Sequence, residues 1–134
     1  MRAVAGLLLL TTLASTAPAQ AHHSLWGYDQ GKLSPLAGVV TDFQFIQPHP
    51  FLVIEVEAGG AKQSWRLEMD NLWELRDIGM TAATFRRGDR VRVSGNADRE
   101  GAHAMYLRRL DRPSDSLRYE QVGMRPVLNG RERS

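Results

Sequence analysis

The chain has 134 residues, and 17 basic against 15 acidic side chains give it a formal net charge of +2. Because both signs are interleaved along the chain, this charge excludes nucleic acid as the main partner, which would require a one-sided basic surface. The sequence contains no cysteine, which excludes disulfides, a cysteine nucleophile and a lipid-modified cysteine. The length that remains behind an N-terminal export signal suits one small domain.

Residues 1–21 have the features of a cleaved signal peptide. Arg2 supplies a basic start, residues 3–13 form an apolar run, and the small residues Ala19 and Ala21 occupy positions −3 and −1 of a cleavage site. The apolar run is shorter than the ~20 residues of a transmembrane helix. We therefore predict export to the periplasm or the cell exterior by the general secretory route. The mature chain would have no transmembrane segment.

The mature chain is predicted to begin with an irregular N-terminal arm, residues 22–35, because Gly27, Gly31 and Pro35 interrupt it. Beyond the arm, β-branched and aromatic residues at alternating positions predict strands, and one segment has helical spacing behind a polar cap, Asp70. The predicted elements are strands over 37–46, 51–57 and 63–69, a helix over 71–78, and strands over 90–95 and 102–110.

This order, β-β-β-α-β-β, predicts a mainly β fold over residues 36–111: a small five-stranded OB-like barrel with one short helix. An open antiparallel sandwich or roll is the alternative. The barrel is favoured because it closes its sheet edges, which benefits an exported domain without disulfides. Residues 112–134 are rich in arginine, proline and glycine, so we expect a polar tail, partly disordered or draped over the barrel.

Three histidines are candidate metal ligands. Cleavage after Ala21 would make His22 the N-terminal residue, with His23 beside it, and the α-amine and Nδ1 of His22 would chelate one metal ion. His49 lies between Pro48 and Pro50, whose restricted backbones present its imidazole from a stiff loop. Together they would form a T-shaped site similar to the histidine brace of copper proteins. Amine and imidazole nitrogens in tetragonal geometry favour Cu(II).

Each of these histidines also has an ordinary explanation. His22 and His23 would be solvated residues at a chain end, and His49 would hydrogen-bond a backbone carbonyl in a tight turn. The remaining histidine, His103, is expected to be a solvated turn residue. A cut after Ala19 is the alternative, and it would expose Gln20-Ala21-His22, a square-planar Cu(II) or Ni(II) chelate.

Catalytic signatures are absent from the sequence. No Gly-x-Ser-x-Gly nucleophile elbow and no glycine-rich phosphate loop occur. Carboxylates could act in acid–base pairs, but their alternation with apolar residues predicts a solvated strand face for Glu55, Glu57 and Glu68. We therefore expect a binding protein without catalytic residues.

The three tryptophans could form a stacking platform, as some OB-folds use for sugars or bases. Trp65 falls on the inward side of a predicted strand, and Trp73 lies on the predicted helix. Core packing is the simpler prediction for both. Trp26, in the arm, is the one candidate for an exposed aromatic side chain.

Several motifs recur here in a fixed order: His22-His23-Ser24, Gly38-Val39-Val40, Gln47-Pro48-His49, the segment Trp65-x-Leu67-Glu68, and Gly88-Asp89-x-Val91-x-Val93. In this order they resemble exported bacterial proteins grouped as domain of unknown function 6152, over residues 21–111. Members of that family typically have asparagine where Gln47 stands here. The resemblance implies an exported, OB-like β domain, and it implies no activity.

The leading hypothesis is an exported protein that binds copper or another divalent metal through His22, His23 and His49. The alternative is a metal-free OB-like module that binds a small ligand, a glycan or an envelope protein. A copper oxidase of the brace type is the least supported, because nothing in the sequence indicates a substrate surface.

Overall fold

The computed structural model describes residues 25–129. The predicted signal peptide, together with His22 and His23, lies outside this range. A 3₁₀ turn, Leu25–Gly27, comes first. The strands and the helix follow as β1 Ser34–Gln44, β2 Phe51–Ala58, β3 Ala61–Glu68, α1 Leu72–Asp77, β4 Arg90–Ala97, β5 Ala104–Arg112, β6 Leu117–Glu120 and β7 Val127–Asn129.

The first five strands close into a barrel. Strand β1 pairs antiparallel with β2 on one side and with β4 on the other, while β2 pairs with β3 and β4 pairs with β5. A parallel pairing of β3 with β5, from Arg66 opposite Ala104 to Glu68 opposite Tyr106, completes the ring. The structure therefore confirms the mainly β, five-stranded OB-like barrel with one short helix and excludes the open sandwich or roll.

Alternation along the strands fills the barrel interior. Leu52 and Ile54 of β2 and Leu67 of β3 are fully buried, as the period-two pattern predicts. Strands β1 and β2 approach very closely at Gly38, where a Cβ would lie 2.5 Å from the carbonyl oxygen of Glu55. Any larger residue there would push the two strands apart.

The helix begins one residue later than its sequence suggests. Asn71, not the predicted Asp70, is the N-cap: its Oδ1 accepts a hydrogen bond from the Glu74 backbone amide at 3.0 Å. Asp70 instead accepts the Asn71 amide at 2.6 Å. Leu72 is buried on the inner side of the helix. Within residues 25–129, no helix has the length and hydropathy of a membrane span.

Residues 113–129, here termed the C-terminal extension, continue the sheet beyond the barrel. We expected a polar tail, partly disordered or draped over the barrel. Instead β6 pairs with β5 and β7 pairs with β6. Leu117 and Tyr119 alternate inward and are 1% and 0% exposed. These two buried side chains attach the extension to the core. The polar residues around them are the reason that the sequence predicted a tail. Residues 130–134 lie outside the described range.

Candidate functional site

The turn that carries His49 is fastened to the link between β3 and α1. The Met69 amide donates to the carbonyl of Pro50 at 2.9 Å, and the Leu72 amide donates to the carbonyl of Pro48 at 3.3 Å. The two prolines that flank His49 therefore both accept hydrogen bonds from the same connecting segment. This arrangement makes the turn rigid, as the Pro-His-Pro sequence predicts.

The His49 imidazole is half-buried and lies against that segment. Its Nδ1 is 3.2 Å from the carbonyl oxygen of Met69. A carbonyl oxygen only accepts hydrogen bonds, so Nδ1 carries the proton of this bond. In the neutral ring, Nε2 then holds the lone pair that a metal ion requires. The contact is the backbone hydrogen bond expected of a turn histidine, and it is also the orientation typical of a metal-ligating one.

The N-terminal arm docks on the end of β3 and on the end of β4. The Tyr28 hydroxyl donates to Oε2 of Glu68 at 2.9 Å, one residue before Met69. The Asp29 amide donates to the carbonyl of Ala97 at 2.8 Å, and Tyr28 bridges to Asp98. The arm thus bonds Glu68, which precedes in sequence the residue that orients His49.

Glu68 differs from its prediction. It was expected on a solvated strand face, but it is 4% exposed. The arm covers it through Tyr28, and the Arg66 guanidinium lies 3.7 Å from its carboxylate. Burial, and then the negative charge of Glu68, raise the pKa of Tyr28 above its ordinary value. The phenol is therefore held protonated as a donor to the carboxylate.

Further phenols and carboxylates continue this polar region along β5 and α1. The Tyr106 ring lies 6.1 Å from the Tyr28 ring. Burial, and then the charge of Asp70, raise the pKa of Tyr106. A hydrogen bond between Glu74 and Asp70 raises the pKa of Glu74. Two neighbouring carboxylates repel each other, so one of them keeps its proton more readily and donates it to the other. Sequence reasoning missed this region, because its members lie on four separate elements.

The remaining predicted aromatic and histidine positions lie elsewhere. The exposed His103 ring stacks on Trp65, with centroids 5.1 Å apart and planes inclined by 23°. Trp26 is 80% exposed, as predicted, but Trp73 is 63% exposed rather than packed in the core. The Arg76 guanidinium lies 5.4 Å from the Trp73 ring centroid, so it covers one face of that ring.

No three histidine or acidic side chains within residues 25–129 come together as a metal-binding group. Of the predicted ligands, the structure places His49 on its fastened turn, whereas His22 and His23 fall before the first described residue. The association of these three histidines therefore stays a prediction.

A second surface feature is lined by none of the residues of the His49 turn. A shallow groove of about 520 Å³ crosses the outer face of β2, β1 and β4. Its floor contains Ala37 and Val39, while one wall carries acidic side chains and the other carries arginines. Local sequence patterns do not predict this groove, because its walls come from strands more than 30 residues apart.

Comparison with known proteins finds a family and a solved structure of partial similarity. A solved structure, apo TiaS (a tRNAIle2 agmatidine synthetase), is similar over 77% of this chain and 30% of its own length, with 18% identity and a TM-score of 0.44. The chain thus corresponds to less than a third of that protein. No curated protein sequence matches. The profile of a family of unknown function, DUF6152, matches residues 10–106. This match covers most of the sequence, and the chain therefore belongs to the DUF6152 family.

Proposed function

We propose that this protein is exported and that its mature form binds Cu(II) without catalysing a reaction. The α-amine and Nδ1 of His22 chelate the ion, Nε2 of His49 supplies the third nitrogen, and His23 lies beside the site. The observation that carries the proposal is the bond from His49 Nδ1 to the Met69 carbonyl. It places the ring proton on Nδ1 and orients the imidazole, as in histidines that bind a metal through Nε2.

The docking of the arm supports the same site. Tyr28 bonds Glu68, and His49 bonds the next residue, Met69, so the arm and the histidine turn contact neighbouring residues at the end of β3. Six residue steps separate His22 from Tyr28. Such a segment spans at most about 20 Å. The proposal requires that this segment bring the N-terminal amine to the His49 turn within that span.

The chemistry of the donors selects copper among the common divalent ions. An amine and two imidazoles provide nitrogen ligands, and the chain has no cysteine to favour softer ions. Cu(II) is highest in the divalent affinity order and prefers tetragonal nitrogen sites. Export by the predicted signal peptide and cleavage after Ala21 are both parts of this proposal, because an uncleaved leader blocks the amine.

The test uses protein exported through its own leader, with the new N-terminus determined by sequencing. Cu(II) is added at one equivalent and followed by EPR and by competition with a chelator of known affinity. We expect superhyperfine splitting from several nitrogens, which loses one nitrogen in His49→Ala. His103→Ala is the matched control, since His103 is the other described histidine and stacks on Trp65 at a different place.

Each outcome decides between the hypotheses. An unchanged spectrum in His49→Ala reduces the site to chelation by the chain end alone, as in the alternative cut that exposes Gln20-Ala21-His22. No stoichiometric binding by the folded, correctly processed protein would favour the metal-free OB-like module. Copper-dependent consumption of oxygen with a reductant would instead support the brace-type oxidase.

A further inference from the structure

The groove over β2, β1 and β4 has a pattern of charge that the copper proposal does not use. Val39 at the centre of its floor pairs with Glu55 on one side and with Arg90 on the other. Ala37, the next outward residue of β1, pairs with Arg92. Glu57 follows Glu55 on the acidic side and also lines the groove. Two acidic side chains therefore face two arginines across a floor of small side chains.

Strand geometry sets the dimensions of this arrangement. Side chains two residues apart on one strand are separated by about 6.5–7 Å, so each wall repeats its charge at that interval. Neighbouring strands lie about 4.8 Å apart, which places the two walls nearly 10 Å from each other. Between residues 25 and 129 no ion pair joins Glu55 to Arg90, because Glu55 bonds Lys62 instead. The space between the walls has about the width of one extended chain.

The two walls are not equally neutralised by their neighbours. Glu55 bonds Lys62 at 2.8 Å, and both side chains of this pair are substantially exposed. An exposed pair of this kind is weak, so it exchanges readily for another partner. Neither Arg90 nor Arg92 makes an ion pair with any residue between 25 and 129. Arg90 and Arg92 can therefore form ion pairs with the carboxylates of a ligand.

This charge pattern excludes ligands of a single sign. Polyanions such as nucleic acid are repelled by Glu55 and Glu57, and polycations are repelled by Arg90 and Arg92. An extended peptide lying along β1 directs successive side chains to opposite walls. Every second side chain therefore faces the same wall, at the same interval of about 6.5–7 Å. Its acidic side chains meet the arginines when its basic side chains meet the glutamates.

The geometry points to a peptide-binding groove: we propose that this face binds an extended segment of a partner protein in which basic and acidic residues alternate. The turn after β5 bounds the groove with Pro113 and Ser114. These two residues close one end of the groove and so limit how far a bound peptide can extend. The groove is separate from the His49 turn, so the proposal stands whether or not the protein binds copper.

The first test compares two peptides of identical composition. One is the alternating hexamer Lys-Glu-Lys-Glu-Lys-Glu, and the other is the block isomer Lys-Lys-Lys-Glu-Glu-Glu, both capped at their ends. Binding is measured by NMR titration of the ¹⁵N-labelled mature protein at low salt. We expect the alternating peptide to bind about tenfold more tightly, with shifts confined to β1, β2 and β4, because only it matches both walls at once.

Variants then separate pattern from net charge. Arg90→Glu with Arg92→Glu should abolish binding of the alternating peptide. Arg87→Glu with Arg109→Glu is the matched control, since it makes the same change in charge at exposed arginines outside the groove and should preserve binding. Adding Glu55→Arg and Glu57→Arg to the first variant exchanges the two walls. Binding should return, because the same peptide fits after it is turned around.

Three results would overturn the proposal. Equal affinity for the two hexamers would show that only overall charge is sensed. Tighter binding of hexaglutamate than of the alternating peptide would make Arg90 and Arg92 a simple anion surface. Failure of the exchanged-wall variant to recover binding, with an intact HSQC spectrum, would show that the walls do not act together.

Discussion

The two segments that flank the barrel are attached by different physical means. The N-terminal arm is held by hydrogen bonds, such as Tyr28 to Glu68 and the Asn96 side chain to the carbonyl of Asp29, while its Trp26 is 80% exposed. The C-terminal extension pairs with β5 as strands and buries Leu117 and Tyr119 almost completely. One segment is attached mainly by polar contacts, and the other is part of the hydrophobic core.

This difference predicts how the segments respond when they are disturbed. Buried apolar area couples a segment to the whole fold, whereas a few hydrogen bonds allow local opening. The extension should therefore unfold together with the barrel, and the arm should detach while the barrel stays folded. A detachable arm suits the proposed metal site, because the arm carries the N-terminal ligands.

The largest expected effect comes from Arg112, which joins the extension to the barrel. It is 2% exposed, and its guanidinium bonds Asp89 at 2.7 Å and Asp115 at 2.7 and 2.8 Å. Arg112→Met removes this positive charge from two partly or wholly buried carboxylates. We expect a loss of about 3–5 kcal/mol in the free energy of unfolding, measured by urea denaturation.

A compensated variant checks the cause. Adding Asp89→Asn and Asp115→Asn to Arg112→Met removes the charges that the arginine neutralised, so a large part of the lost stability should return. If the triple variant is as unstable as the single one, packing of the arginine stem, rather than its charge, attaches the extension.

The arm should give a smaller and local effect. Tyr28→Phe removes the hydroxyl that donates to the buried Glu68. A hydrogen bond to a charged group contributes about 1.5–3 kcal/mol, so the arm amides should lose protection from hydrogen exchange by one to two orders of magnitude. The amide of Asp29, which bonds Ala97, is the reporter. Equal loss of protection in the barrel strands would contradict a separately opening arm.

Much of the barrel could be predicted because its signals are local. Alternation placed Leu52 and Ile54 inward, and polar residues with glycine marked the turns. The parallel closure of β3 on β5 left no local signal, since it joins residues nearly 40 positions apart. Leu117 and Tyr119 form only one alternating pair, flanked by proline and glycine, so the same rule predicted a tail where two strands occur.

The site was less predictable for the same reason. The rigid His49 turn followed from its two flanking prolines. The prediction of a solvated Glu68 was wrong, because the residue that covers it, Tyr28, lies 40 positions earlier. Trp73 was misplaced because helical spacing in a helix of only six residues defines its buried face poorly. Period-two and helical patterns show which face a residue occupies, but not which other segment covers that face.

Alkaline pH should separate the two segments without mutation. Burial raises the pKa of Tyr28 and of Tyr119 above the ordinary value near 10. A raised folded-state pKa gives stability that is complete below about pH 10 and is lost as pH rises through the shifted value. Tyr28 is half-buried and Tyr119 is 0% exposed, so arm protection should fall before the global unfolding midpoint does. Simultaneous loss would indicate one cooperative unit.

The smallest effect is expected at Arg118, an exposed arginine within the same C-terminal extension. Its Nε bonds the Asp111 carboxylate at 2.8 Å, and this hydrogen bond raises the pKa of Arg118. Both side chains are about half-exposed or more, so water and salt screen the pair. Arg118→Gln should leave the urea midpoint unchanged within measurement error, at low and at high salt alike. A clear loss of stability would show that exposed ion pairs, in addition to the buried Arg112 cluster, attach the extension. Comparison of the Arg112 and Arg118 variants therefore tests whether burial, rather than the number of charged contacts, distinguishes the extension from the arm.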